Sequence, residues 1–200
     1  LGALNDSENN LRFVGRIEEQ AERLDQLIHD MLQIARVESG EAAFDITQVP
    51  VDNIIRASVA SHAQSADKKQ IELRIVSPGQ PVSATADEEG LRMILDNLIS
   101  NAIKYTPECG SVTVRSGDER GNAWFEVEDT GIGIESSHQS RVFERFYRID
   151  KARSREVGGT GLGLSIVKHL CQAFGGSVSL KSAPGSGSTF IVVLPHDSRV

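Results

Sequence analysis

Long apolar runs are missing from this sequence: none could cross a bilayer, and none resembles a signal peptide. Cysteine is scarce as well. The two cysteines, Cys109 and Cys171, lack the spacing of a metal site, so we expect two free thiols in a reducing compartment. The chain begins with Leu1 rather than methionine, from which we expect a piece of a longer protein. The lack of a membrane segment here therefore says nothing about the parent protein.

Basic residues are fewer than acidic ones: the sequence has 21 Lys and Arg and 28 Asp and Glu, which gives a net charge of −7. A phosphate backbone needs clustered Lys and Arg, so the composition argues against nucleic acid as the main ligand. It does not exclude a nucleotide, because backbone N–H groups can bind phosphate on an acidic protein. The 200 residues, 39% apolar and 24% charged, predict one packed domain plus a smaller element.

The sequence predicts one long helix over residues 11–38. Its apolar residues recur at alternating steps of three and four, which makes a heptad seam. The seam residues are Val14, Ile17, Ala21, Leu24, Ile28, Met31 and Ala35. Leu27, Leu32 and Ile34 widen the apolar face, which favours a helix bundle over a two-stranded coil. The helix is predicted to end at Ser39-Gly40, because glycine is common just after the last turn of a helix.

A domain boundary is predicted near residues 40–46. Pro50 cannot continue a helix, because proline lacks the N–H and crowds the preceding turn. We therefore divide the chain into a helical element, residues 1–42, and a larger domain, residues 46–200.

The larger domain alternates helical and strand patterns. Helices are predicted at 52–66, 88–106 and 162–174, and strands at 71–76, 82–87, 111–116, 123–129, 177–182 and 188–194. Residues 134–158 have no clear periodicity. The fold class is α+β: a two-layer sandwich in which helices cover one face of a mixed, mostly antiparallel sheet, preceded by a long helix.

The segment EDTGIGI, residues 128–134, places an aspartate and two glycines at the end of a strand. The Asp129 carboxylate can accept a hydrogen bond from an exocyclic amine, while Gly131 and Gly133 allow the backbone and a ligand to approach closely. The alternative interpretation is a turn closed by an Asx hydrogen bond. Taken alone, the motif does not decide between the two.

The segment GGTGLGLS, residues 158–165, opens a helix. Free N–H groups at a helix N-terminus favour anions. The segment lacks the lysine of a P-loop, and Leu164 stands where a dinucleotide-binding motif has its last glycine. A flexible linker is the alternative, which the apolar helix directly after the glycines disfavours.

Asn97, Asn101 and Lys104 fall on one face of the helix predicted at 88–106, by their i, i+4, i+7 spacing. Asparagine is a poor helix former, so two on one face need a reason. Amide oxygens are suitable ligands for Mg²⁺, Lys104 adds positive charge, and Tyr105 offers an aromatic face to a base. The alternative is a solvated polar face.

The order of these motifs carries a family resemblance. NLISNAIKYT (97–106), EDTGIGI (128–134), RVFERFYRID (141–150) and GGTGLGLSIV (158–167) resemble the ATP-binding domain of bacterial sensor histidine kinases. These kinases belong to the GHKL group, with gyrase, mismatch-repair ATPases and a large heat-shock chaperone. The heptad helix, ending in ARVESGE (35–41), resembles the second helix of the kinase dimerisation hairpin.

The resemblance implies roles at the phosphate end of a bound ATP. Asn101 is expected to bind Mg²⁺ through its amide oxygen, and Asn97 to lie close to the metal and phosphates. Lys104 is expected to reach phosphate, and Arg148 to contact the terminal phosphate. Asn101, Lys104 and Arg148 are thus the implied catalytic residues.

The resemblance also implies how the base and the lid are arranged. Tyr105 is expected to lie along the adenine, and Asp129 to accept its amino group. Residues 135–158 would form a mobile lid, held by apolar contacts of Phe143 and Phe146. The other implied nucleotide-binding positions are Gly131, Gly133, Ile134, Gly159, Thr160, Gly161, Leu162, Gly163 and Leu164.

His29 precedes an aspartate, as the phosphoacceptor of the family does, but no basic residue or proline follows it. It also lies on the helix that leads into the ATP-binding domain, where the second helix of the hairpin belongs. The resemblance therefore implies that His29 is structural or solvent-facing beside the seam, and that the phosphoacceptor histidine lies upstream of Leu1. Most of the first helix of the hairpin is then missing from this chain.

As a whole, the resemblance implies a kinase that uses ATP and Mg²⁺, passes phosphate to a response regulator and forms a homodimer. This chain would be its cytoplasmic domain, and the parent protein would be anchored in the inner membrane. Two alternatives stay open. One is an ATP hydrolase, which needs a carboxylate that activates water. The other is a module that binds nucleotide or dimerises without catalysis of its own.

Overall fold

The computed structural model describes most of the larger domain and part of the first helix. The described residues are 10, 13–18, 20–21, 24–25, 27–28, 31–32, 35, 44–76, 79–149 and 160–196. His29 and Gly159 lie outside them, as do residues 36–43 and 150–159. The division into domains at 1–42 and 46–200 therefore stays a prediction.

Every described position between residues 10 and 35 is helical, as the heptad pattern predicts. The seam is open to solvent: Val14, Ile17, Leu24 and Met31 are each more than half exposed. Leu27, beside the seam, is half-buried and packs against the core of the larger domain. The seam therefore remains an apolar surface in the single chain.

The larger domain contains two sheets. A two-stranded sheet pairs β1 (Thr47–Pro50) with β3 (Ser83–Ala86). The main sheet has the strand order β2-β4-β5-β7-β6, in which β2 and β4 are parallel and the other neighbours are antiparallel. Its strands are β2 (Glu72–Val76), β4 (Ser111–Glu119), β5 (Asn122–Asp129), β6 (Ser177–Ser182) and β7 (Ser188–Pro195). The helices are α1 (Val51–Lys68), α2 (Glu88–Tyr105), α3 (Ser136–Gln139) and α4 (Gly163–Ala173).

The alternation of side chains along the central strands creates the two layers. Phe125 and Val127 of β5 are fully buried and face the helices, together with the inward residues of β7. Glu126 and Glu128 point the other way, and both pair with Arg115, whose Nη1 lies 3.0 Å from Glu126 Oε1. One face of the sheet is thus apolar and covered, which confirms the predicted α+β sandwich.

Strand β1 was not predicted. Pro50 argued for a break, but it stands at the end of β1, in a sheet of two strands where a missing N–H costs little. Val49 of β1 is buried in the core. Both cysteines are free, as expected, with Cys109 exposed and Cys171 buried. Burial raises the pKa of the Cys171 thiol to about 12.

Candidate functional site

A cavity of about 370 Å³ lies between the end of α2, the end of β5, the segment after β5 and the start of α4. Nine of the predicted site residues line it: Asn101, Tyr105, Asp129, Gly133, Ile134, Arg148, Gly161, Gly163 and Leu164. The remaining lining residues are Ile132, Glu135, His138, Val142, Tyr147, Ile149, Pro184, Ser188 and Phe190. The four sequence motifs therefore meet in one place.

Helix α2 positions the asparagines. It begins at the N-cap Asp87, whose Oδ1 accepts a hydrogen bond from Gly90 N at 2.8 Å. Asn101 faces the cavity, whereas Asn97 lies one turn earlier and outside the lining. Asn97 Nδ2 donates to Met93 O at 2.9 Å, which fixes the amide with its oxygen beside Gly163. A Cβ on Gly163 would collide with that oxygen, so this approach of α2 and α4 requires glycine.

Lys104 also lies outside the cavity lining. Its Nζ is 5.8 Å from the centre of the Tyr105 ring, close enough for an attraction between the cation and the aromatic face. Tyr105 lines the cavity and is 40% exposed. Of these two neighbours on the last turn of α2, only Tyr105 reaches the cavity wall.

Asp129 is a buried carboxylate in the cavity lining. It is 6% exposed, and its Oδ1 accepts hydrogen bonds from Gly131 N at 2.8 Å and Ser188 N at 3.2 Å. Burial raises the pKa of this carboxyl, although the two hydrogen bonds oppose the shift. Because both backbone donors use Oδ1, the carboxylate is held in one orientation with Oδ2 still available to a ligand.

The glycines after Asp129 are required by close packing. A Cβ on Gly131 would lie 2.6 Å from both Asp129 Oδ1 and Tyr105 O. Gly133 has a φ of +69°, and a Cβ there would overlap the carbonyl oxygen of Ala183. The loop thus lies against both the end of α2 and the β6–β7 hairpin, and no side chain fits at either glycine.

The segment after β5 folds over the cavity. Phe143 packs edge-on against Phe190, with 6.2 Å between the ring centres, which confirms its predicted anchoring contact. The same prediction for Phe146 was wrong, since this residue is 57% exposed. The backbone at Phe146 has a φ of +59°, and its N–H donates to Gly161 O at 2.9 Å. This left-handed turn leaves the Phe146 ring in solvent, while Tyr147 and Arg148 line the cavity.

Two side chains hold Tyr147 in place. His138 Nδ1 lies 2.6 Å from the Tyr147 hydroxyl, and the Arg141 guanidinium carbon is 4.3 Å from the ring centre. Next to Tyr147, Arg148 directs a buried Nη2 that has no hydrogen-bond partner among the described residues. A buried guanidinium nitrogen without an acceptor, on a residue that lines the cavity, favours an anionic ligand there.

Only some residues of the glycine-rich segment line the cavity. Gly161 has a φ of +76°, and a Cβ there would lie 3.0 Å from Phe146 Cα. Gly163 and Leu164 line the cavity, but Leu162 is 1% exposed and belongs to the core. Thr160 Oγ1 accepts a hydrogen bond from Leu162 N at 3.2 Å, so this side chain supports the loop.

Sequence reasoning missed the contribution of the last hairpin. Pro184, Ser188 and Phe190 line the cavity, and Ser188 N holds Asp129. Their local pattern predicts a hairpin and nothing more. His138 and Tyr147 were also missed as lining residues, although Tyr147 stands next to Arg148 in the motif RVFERFYRID.

Comparisons with known proteins agree with this geometry. Residues 86–198 match the family model described as "Histidine kinase-, DNA gyrase B-, and HSP90-like ATPase". The sensor-like histidine kinase SenX3 of Mycolicibacterium smegmatis is 40% identical over 98% of this chain and 51% of its own length. The phosphate regulon sensor protein PhoR of Pseudomonas aeruginosa is 37% identical over 90% of this chain and 40% of its own length.

A solved structure shares the fold. Full-length ShkA in complex with AMPPNP has a TM-score of 0.79 and 32% identity, covering 94% of this chain and 39% of the other. The chain spans about half the length of the SenX3 proteins that it matches. Because the family model matches more than half of the chain and its motifs meet in one cavity, the chain belongs to the histidine kinase-, DNA gyrase B- and HSP90-like ATPase family.

Proposed function

We propose that this chain is the catalytic portion of a two-component sensor histidine kinase. It binds Mg-ATP and transfers the γ-phosphoryl group to a histidine upstream of residue 1. The N–P bond forms at that imidazole as the bond from the γ-phosphorus to the β–γ bridging oxygen breaks, and ADP leaves. The response regulator that accepts the phosphate, the homodimer and the membrane anchor of the whole protein belong to the same proposal.

The observation that carries the proposal is the buried carboxylate of Asp129 in the cavity lining. Its fixed Oδ1 and available Oδ2 fit an exocyclic amine such as that of adenine. Tyr105 also lines the cavity, its carbonyl oxygen lies beside Gly131 as Asp129 Oδ1 does, and its ring offers an aromatic face to the base. A polar group that recognises an amine, placed in an apolar cavity, is typical of a purine site.

Other residues of the cavity lining fit phosphate. Arg148 supplies the buried Nη2 that lacks an acceptor, and a guanidinium suits phosphate geometry. Gly161 and Gly163 line the cavity where α4 begins, so backbone N–H groups there add to the favourable field of a helix N-terminus. We include Gly159 in this cradle and Lys104 as a source of positive charge, both from the family resemblance.

The donor set fits a magnesium ion that arrives with the nucleotide. No group of three or more His, Cys, Asp or Glu side chains in the described part of the chain could hold a metal ion. Asn101 lines the cavity, and the Asn97 amide is fixed one turn away. We assign Asn101 as the residue that would hold the metal through its amide oxygen, and Asn97 as its neighbour. The ion would neutralise charge on the phosphates during transfer.

In this proposal the chain itself contributes positioning and charge rather than covalent chemistry. Asp129 and Tyr105 fix the base, which places the triphosphate along the cavity toward Arg148. The segment around Phe146 closes over the nucleotide and keeps water away from the γ-phosphorus. Positioning and charge stabilisation account for most of the catalysis in phosphoryl transfer generally.

The test is a transfer of label from ATP labelled at the γ position, in the presence of Mg²⁺. We expect no phosphoprotein from the chain alone, and transfer when a separate hairpin helix carrying the phosphoacceptor histidine is added. The variant His29→Ala should transfer as well as the parent chain, whereas Asp129→Asn should transfer poorly. Label on the chain that disappears in His29→Ala would make residues 11–38 the substrate. Steady release of phosphate without any histidine substrate would instead favour an ATP hydrolase.

A further inference from the structure

The turn after α1 contains a lysine that contacts the end of α2. Lys69 Nζ lies 2.7 Å from Ile103 O, 3.1 Å from Lys104 O and 2.7 Å from Thr106 O. An ammonium has three N–H donors, so Lys69 uses its full capacity on three backbone carbonyls of one helix end. Its side chain is half-buried, unlike that of the exposed neighbour Lys68.

The other carbonyls at the end of α2 have partners of their own. Ala102 O accepts from Thr106 N at 3.0 Å and from Thr106 Oγ1 at 2.7 Å. Tyr105 O accepts from Ile132 N at 3.3 Å, in the loop that follows Asp129. The last carbonyls of a helix have no partner within the helix. Here Lys69 provides the partners for Ile103, Lys104 and Thr106.

Lys69 is itself held in place by the backbone. Its N–H donates to Ala66 O at 3.0 Å, and its carbonyl accepts from Cys109 N at 3.2 Å. The next residue, Gln70, has a φ of +54° and donates its N–H to Asp67 O at 2.9 Å. The ammonium therefore projects from a fixed turn, and it can transmit that position to the end of α2.

We propose that Lys69 is a positioning residue for nucleotide binding, acting through the last turn of α2. That turn carries Tyr105 in the cavity wall, and Tyr105 O supports the loop of Asp129 and Gly131. Without the ammonium, three carbonyls lose their donor, and the turn shifts toward water. Tyr105 and the loop then move away from the base. The inference rests on the nucleotide site proposed above.

The experiment is a calorimetric titration of the folded chain with Mg-ADP, well below its melting temperature. The variants are Lys69→Gln, its matched control Lys68→Gln, Tyr105→Ala, and the double variant of Lys69→Gln with Tyr105→Ala. We expect Lys69→Gln to weaken ADP binding by about tenfold, as a displaced binding group does. Lys68→Gln should bind like the parent chain. Because part of the effect of Lys69 acts through the Tyr105 ring, Lys69→Gln should cost less affinity when Tyr105→Ala is already present.

Other outcomes overturn the inference. If Lys69→Gln lowers only the melting temperature and binds ADP normally, the lysine is a helix cap without a role in the site. If the loss of affinity is equally large with and without the Tyr105 ring, Lys69 does not act through that ring, and the inference is overturned as well. If the parent chain does not bind ADP, the proposed function fails, which is a separate result. Should Lys69→Gln not fold, Lys69→Arg keeps the charge without the convergent three-way geometry and allows the same comparison.

Discussion

Asp129→Asn is the substitution that tests the site most directly. The two side chains have the same shape, and the asparagine oxygen can take the place of Oδ1, which accepts from Gly131 N and Ser188 N. The amide nitrogen then occupies the place of Oδ2. Where the carboxylate accepts a hydrogen bond from the exocyclic amine of adenine, the variant presents a second donor. The fold is kept, and one contact with the base is reversed.

The size of the effect follows from that contact. Removing a hydrogen bond to a charged, buried group costs about 1.5–3 kcal/mol. This corresponds to a loss in ADP affinity of about tenfold to a hundredfold. Guanine carries a carbonyl oxygen where adenine carries the amine, so the variant should lose less affinity for GDP than for ADP.

Calorimetric titration with ADP and GDP measures both quantities. Glu128→Gln is the matched control, since Glu128 is the adjacent carboxylate and its side chain pairs with Arg115 on the opposite face of the sheet. The control should bind both nucleotides like the parent chain. Unchanged ADP affinity in folded Asp129→Asn would refute the assignment of Asp129 to the adenine amine, whatever the transfer assay shows.

Three further predictions concern stability. Burial raises the pKa of the Asp129 carboxyl in the folded protein above its value in the unfolded chain. The contribution of this carboxyl to the free energy of unfolding is therefore fully present below the unfolded-state pKa and is lost as pH rises through the folded-state pKa. Thermal melts should therefore show Asp129→Asn more stable than the parent at neutral pH, with the difference shrinking in acid; equal melting at every pH would contradict this. Gly133→Ala should cost more than about 3 kcal/mol in denaturant unfolding, because strain adds to overlap with the Ala183 carbonyl. Gly185→Ala, at a φ of +74° in open space, should cost only about 1–2 kcal/mol, and equal costs would sink the packing argument. Cys109 has a φ of +63°. Cys109→Gly should therefore raise the free energy of unfolding by up to about 1 kcal/mol, whereas Cys109→Ala should leave it unchanged.

Strong periodicity predicted most of the fold. The alternation in residues 123–129 and 188–194 identified the central strands, and helix α2 was predicted to within one residue at its end. The turn between β4 and β5 is tighter than expected, because Arg120 and Gly121 both have positive φ and both strands continue up to them. An arginine gives no local signal for that conformation, so the predicted turn was too long.

The site was predictable where it depends on one element and unpredictable where it depends on contacts distant in sequence. Asn101 and Asp129 follow from a helix face and a strand end, and both line the cavity. Ser188 holds Asp129 from a hairpin 59 residues away in sequence. Its position depends on the pairing of β5 with β7, which no local pattern contains. Phe146 was misplaced for a related reason, since its left-handed turn depends on Gly161 rather than on its own type.

Lys68 and Lys69 show the same limit within a single dipeptide. Two lysines at the end of α1 read alike in the sequence, as charges that favour a helix C-terminus and stay in water. The fold separates them: Lys68 is the last residue of α1 and is exposed, whereas Lys69 is the C-cap residue and its ammonium reaches the end of α2. If Lys69 positions Tyr105, the residues that determine nucleotide affinity extend beyond the four sequence motifs. The comparison of Lys69→Gln with Lys68→Gln then measures how much of the site depends on its support rather than on the residues that touch the ligand.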